Sequence, residues 1–311
     1  MNYAQLYCRI FSAITIIVAG CETSQSPIEL SDPSVRDQDL QVISDLISSE
    51  TYLAVDSKDY TDATPASFGS SVPQGRFLGY MIVAGGVYDD STKHYEASLA
   101  RAVFFDKSKP LISNGDTSGF EALDAGVIRL DTIRLVRLGA YFVRGAGMSD
   151  TSLGVQYSFV DRGSPANSAL RFVGGHPYRW SAEGSDHLSP FDATIIAPTN
   201  LHVVSPKPLD LVSASQNLLV RWEGGGTSVK ILISDIEHSP TPRVIFQFRV
   251  SQNRGSVVIP STILTLLPKQ TQKFLFTFLS ETNVVTRVNN YPEDVLMRAV
   301  TIHNLLLQVS Q

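Results

Sequence analysis

From residue 75 onward, apolar side chains recur at every second position, and this period constrains the chain more than any other feature. Leu99, Arg101, Val103 and Phe105 alternate with Ala100, Ala102 and Phe104, and Val155, Tyr157 and Phe159 alternate with Gln156 and Ser158. A period of two sends successive side chains to opposite faces of an extended chain, so each run reads as a β-strand. Short β-branched or aromatic runs lie at 126–130, 132–138 and 140–144. Turn formers separate the runs: Asn114-Gly115-Asp116, Gly145-Ala146-Gly147 and Asp161-Arg162-Gly163. No long helical pattern intervenes, which disfavours alternating strands and helices around a parallel sheet.

The same period continues in the second half. Leu218, Val220 and Trp222 point one way, with Leu219, Arg221 and Glu223 on the other side. Gly224-Gly225-Gly226 then turns the chain into Val229, Ile231 and Ile233. Val244, Phe246, Phe248 and Val250 make a further face, as do Phe274, Phe276 and Phe278, and a last run near 297–309 is expected to close the sheet. Pro198, Pro206 and Pro208 fall where strand edges and turns tolerate a missing N–H. The expected fold class is all-β, with two β-sandwich-like domains at 75–196 and 197–311. Six or seven short strands with an early tryptophan, Trp222, resemble an immunoglobulin or fibronectin-III sandwich in the second domain. The phrase 201–222 is similar to the opening of bacterial surface immunoglobulin-like modules, without the cysteine pair of antibody domains.

The N-terminal residues follow a different pattern. Ile10 to Val18 is a mainly apolar run of nine residues, too short to cross a hydrocarbon core of about 30 Å. The small residues Ala19 and Gly20 come next, then Cys21. Val18-Ala19-Gly20-Cys21 resembles the lipobox of bacterial lipoproteins, in which the cysteine thiol is alkylated by a diacylglyceryl group before cleavage. The resemblance implies a signal peptide at 1–20, Cys21 as the lipid attachment site and anchoring in a membrane. Glu22 stands where many enteric lipoproteins kept at the inner membrane have Asp, so the resemblance implies the outer membrane.

Residues 21–74 read as an acidic tether, with ten carboxylates against Arg36 and Lys58. Such a stretch reads as a solvated spacer. Leu40, Ile43, Leu46 and Ile47 fall at helical spacing and predict a short helix near 38–49 that docks on the first β domain. The chain as a whole has a formal net charge of −5, and nothing in it is cationic enough to track nucleic acid through overall charge.

Catalytic motifs are missing from the sequence. Gly115-Asp116-Thr117-Ser118-Gly119 has its serine one place too late for a nucleophile elbow. Two polar segments were weighed. In 174–192, Tyr178, Trp180 and Phe191 offer an aromatic platform for sugar, and His176, Asp186 and His187 offer metal ligands. The bland alternative, that these aromatics plug a core, carries more weight because zinc ligands usually sit closer together. Asp89-Asp90-Ser91-Thr92-Lys93-His94 with Glu96 has no EF-hand spacing and reads as a solvated turn before a calcium loop. No catalytic residue, cofactor or metal is therefore assigned. The expectation is a non-enzymatic, lipid-anchored envelope protein with an interaction or scaffold role, toward an envelope or extracellular protein. The alternatives are a carbohydrate-binding surface lipoprotein and a hydrolase whose site assembles from distant loops.

Overall fold

The computed structural model describes residues 40–43, 53–55, 77–89, 94–113, 116–142, 151–161, 170–238 and 243–310. The expected signal peptide, Cys21 and most of the expected tether lie outside them. The described chain is nearly all β and sandwich-like. Its strands are β1 Leu40–Ile43, β2 Leu53–Val55, β3 Gly79–Asp89, β4 His94–Ser113, β5 Asp116–Ala122, β6 Ile128–Leu130, β7 Ile133–Arg134, β8 Val136–Phe142, β9 Thr151–Asp161 and β10 Pro177–Ala182. They continue with β11 Phe191–Ile196, β12 Thr199–Ser205, β13 Leu211–Ser213, β14 Leu218–Gly225, β15 Val229–Asp235, β16 Arg243–Val250, β17 Ser256–Ile259, β18 Lys273–Arg287 and β19 Asp294–Ser310. A single helical turn, α1 (Ser261–Leu264), follows β17.

One large sheet runs through both halves in the order β1-β16-β15-β18-β19-β3-β4-β5-β9-β8-β2, with β4 also pairing β9 directly and β13 pairing β19. Two smaller sheets cover the same face of it: β11-β10-β6-β7 and β12-β14-β17. The expected division at 196/197 coincides with the passage of the chain from the first small sheet to the second. It does not divide the large sheet, because β19 pairs in parallel with β3 from Val295↔Gly79 to Leu305↔Asp89. The last run thus lies inside the sheet, between β18 and β3.

The alternation seen in the sequence explains the layers. Tyr178, Trp180 and Ala182 of β10 point inward onto Met81, Val83, Ala100, Ala102 and Phe104, while Pro177, Arg179 and Ser181 point away. Leu218, Val220 and Trp222 of β14 pack on Ile231, Ile233, Phe274, Phe276 and Phe278. The Trp222 Nε1–H donates to Asn253 Oδ1 at 2.8 Å. The first half of β18 and most of β19 are buried and mainly apolar on both faces, as expected of strands covered on both sides.

The helix expected near 38–49 is corrected at its start. Leu40–Ile43 is strand β1, antiparallel to β16 with Leu40↔Val250 and Ile43↔Gln247 in register, and 44–49 lie outside the described residues. The open edge of β16 supplies backbone partners that an isolated short helix lacks, and Val42 and Ile43 favour the extended chain.

β1 and β2 cap the two edges of the large sheet. Across the β4–β9 pairing they stand nine strand spacings apart, about 43 Å in a flat sheet. The ten residues from Ile43 to Leu53 reach at most about 36 Å, so the sheet is curled. The curl turns inward the face that bears Tyr80, Ile82, Leu99, Val103, Leu275 and Leu296, all buried. This face also holds ions. Glu281 pairs with Lys230 at 3.0 Å and Arg298 at 3.5 Å, and the Arg298 guanidinium lies 5.6 Å from the Tyr80 ring centre.

Two predictions follow from this architecture. Trp180 and Trp222 report on different outer layers that share one sheet, so Trp180→Phe and Trp222→Phe variants should show coincident urea transitions by fluorescence. Separated midpoints would mean that the halves unfold independently. The second concerns Glu281. Burial opposes its ionisation, but Arg298 and Lys230 overcome that and hold the carboxyl below the usual glutamate range. Its contribution is complete above the ordinary glutamate pKa and is lost as pH falls through the lowered folded value. Glu281→Gln should cost about 3 kcal/mol at neutral pH and progressively less in acid, as read from urea midpoints across pH.

Candidate functional site

Along β19, residues of one parity face the small sheets in sequence. Val295, Met297 and Ala299 lie under β10, and Leu305, Leu307 and Val309 lie under the layer of β14. Between these two apolar groups come Thr301 and His303, both buried. Polar residues therefore gather at the seam between the two outer layers. Thr301 Oγ1 accepts a hydrogen bond from Leu201 N at 3.0 Å, which fixes β12 over β19. The next residue, His202, brings its ring edge-to-face with His303, centroids 5.2 Å apart.

The parallel pairing of β3 with β19 sets Asp89 beside them, with Asp89 Oδ2 3.3 Å from His303 Nε2. The antiparallel pairing of β3 with β4 sets His94 directly opposite Asp89. His94 Nδ1 lies 2.6 Å from Asp89 Oδ1, and its Nε2 lies 3.3 Å from Glu96 Oε1. Exposure is graded across the group: His303 is 1% exposed, Asp89 is half-buried, and His202 and His94 face solvent. Close by, Gly85 lies against the Phe172 ring, which a Cβ there would overlap, and Phe172 N donates to Ser98 Oγ at 3.0 Å. The segment after β9 is thereby held close to the cluster.

The electrostatics keep His303 neutral. Burial is the largest influence and pushes its imidazole down to about 4, with His202 and His94 acting the same way against the attraction of Asp89. The hydrogen bond to Asp89 moves His94 in the other direction, above the usual histidine range, against its partial burial. His303 Nδ1 has no hydrogen-bond partner among the described residues. One donor atom each from Asp89, His202 and His303 lie within 4.8 Å of one another, the only such group of three found among the described residues.

The polar run from Asp89 to Glu96 is thus partly brought together, but with imidazoles and not as an all-oxygen calcium loop. Asp90–Lys93 lie outside the described residues. His202 and His303 escaped the sequence reading because they stand 101 positions apart, each alone in a strand pattern. The available signal was His303-Asn304, two polar residues in the middle of an otherwise apolar run.

The 174–192 cluster is placed differently from its candidate roles. Tyr178 and Trp180 are 2% and 0% exposed, and Phe191 is half-buried with its ring edge-on to Phe104. No sugar can stack on Tyr178 or Trp180, because their faces are covered by the core, so the platform reading is corrected. His176 instead approaches Asp131 Oδ2 at 3.3 Å. Asp186 and His187 sit in the turn bounded by the Ser185–Leu188 bridge, where the His187 carbonyl accepts from Tyr291 Oη. These three do not assemble as ligands.

No protein family matches this chain, and neither does any curated protein. Trp180→Ala should act on stability, lowering it by about 3–5 kcal/mol in urea denaturation. A variant as stable as the parent would contradict the core placement of this ring.

Proposed function

We propose that this chain is a lipid-anchored protein of a bacterial outer membrane, and that it binds or holds another envelope protein without catalysing a reaction. The observation that carries the reading is Val18-Ala19-Gly20-Cys21, at the end of the mainly apolar run that begins at Ile10. A thiol nucleophile preceded by small residues is what acylation and cleavage at that point require. The acidic tether then stands between the lipid and the β body, with a charge that anionic headgroups repel.

The second half of the body is read as an immunoglobulin-like module. Its strand order supports this: β12-β14-β17 lie against β16-β15-β18-β19, and β13 leaves the first group to pair in parallel with β19. Modules of this architecture present edges and outer faces to partners. Here Leu219 and Val258 oppose one another on β14 and β17 and are 43% and 46% exposed, an apolar pair on the outer face of the small sheet. Carbohydrate binding loses its motive with the burial of Tyr178 and Trp180. A hydrolase site also lacks support, because the more buried carboxylates are already engaged. Asp124 bonds Tyr157 and Arg137, Asp235 bonds Thr271 and His238, and Glu281 bonds Lys230.

Mass analysis of the N-terminal peptide from the membrane fraction tests the anchor. An acylated peptide beginning at Cys21 is expected, and Cys21→Ser should abolish both the added mass and cleavage after Gly20. Soluble protein with an unmodified Cys21 would overturn the reading.

A further inference from the structure

The seam cluster has the chemistry of a metal centre. Two imidazoles and a carboxylate converge from three strands distant in sequence, β3, β12 and β19. The innermost imidazole is fully buried with one nitrogen on Asp89 and the other without a partner among the described residues. Leaving a buried polar atom unsatisfied is costly. A neutral imidazole is the form that ligates a cation.

We propose that Asp89, His202 and His303 bind one divalent first-row transition-metal ion, with His94 orienting the Asp89 carboxylate from the rim. Nitrogen donors select this class over calcium and magnesium, which take oxygen ligands. Histidine and carboxylate ligands at about 2.0–2.1 Å from zinc place neighbouring donors about 3.3 Å apart. The donors here lie within 4.8 Å of one another, so the exposed His202 side chain closes the site by a small rotation. Its exposure is also the route by which the ion enters. Three protein ligands leave a coordination position for water, Glu96 or a partner group. A carboxylate bonded to His94 is the outer support that fixes a ligand's orientation.

The position adds a consequence for the fold. Asp89 and His303 belong to the shared sheet and His202 to the small sheet above it, so the ion bridges the two layers. Binding to the folded chain alone would raise its stability with metal concentration. The proposal does not depend on the lipid anchor.

The test uses the full-length chain, purified in detergent and stripped with a chelator, titrated with Zn²⁺ against a competing indicator and with Co²⁺ followed by visible absorption. We expect one saturable Zn²⁺ equivalent, a rise in the thermal midpoint on binding, and no comparable effect from Ca²⁺ or Mg²⁺. His202→Ala, at an exposed position that leaves the core intact, should weaken Zn²⁺ at least tenfold and remove the thermal shift. Asp89→Asn should do the same, while His238→Ala, at a separate His–Asp pair, should leave both unchanged. The proposal is overturned by absence of saturable binding. It is equally overturned if His202→Ala and Asp89→Asn bind like the parent, or if His238→Ala alone loses the ion.

Discussion

The rest of the structure depends on the backbone ladder around β19. This strand pairs antiparallel with β18 from Asp294↔Arg287 to Gln308↔Lys273, and in parallel with β3 on its other side. All of its backbone groups in the shared stretch are therefore satisfied deep in the protein, where an unpaired N–H or C=O would be costly. Its side chains are mainly apolar on both faces because both faces are covered. One face lies under two separate small sheets and the other is turned inward by the curl. Each small sheet rests on a different length of the same strand.

This arrangement explains which parts of the fold were legible in the sequence. Alternation in β14 and β15 revealed strands and their inward faces, because period and burial are local properties. The pairing of β3 with β19 was not legible, because it joins residues more than 200 positions apart and leaves no mark in either neighbourhood. The stripe Leu40, Ile43, Leu46, Ile47 suits a helix by spacing, yet its first four residues are a strand. The open edge of β16 decided that, and the local pattern cannot report a distant edge.

The candidate site follows the same rule. Asp89, His94 and Glu96 were visible as a polar run, since hairpin register keeps them near one another. His202 and His303 reach them only through the parallel pairing and the crossing of β12 over β19. The aromatic density at 174–192 drew attention for a composition that cores and binding faces share. Burial separates the two, and it places Tyr178 and Trp180 with the core. The site instead occupies the one stretch of β19 where neither small sheet supplies an apolar cover.

The central place of β19 also orders events in time. Until residues 294–310 have been made, β18 and β3 each present an unpaired edge and the two halves have no common sheet. A chain that emerges N-terminus first therefore holds most of its strands in waiting, with contacts of very long sequence separation still to be closed. Such a body locks only when β19 is inserted between β18 and β3. The same delay leaves two long apolar edges open to aggregation, so the strand that completes the protein is also the one whose late arrival exposes it to the greatest hazard.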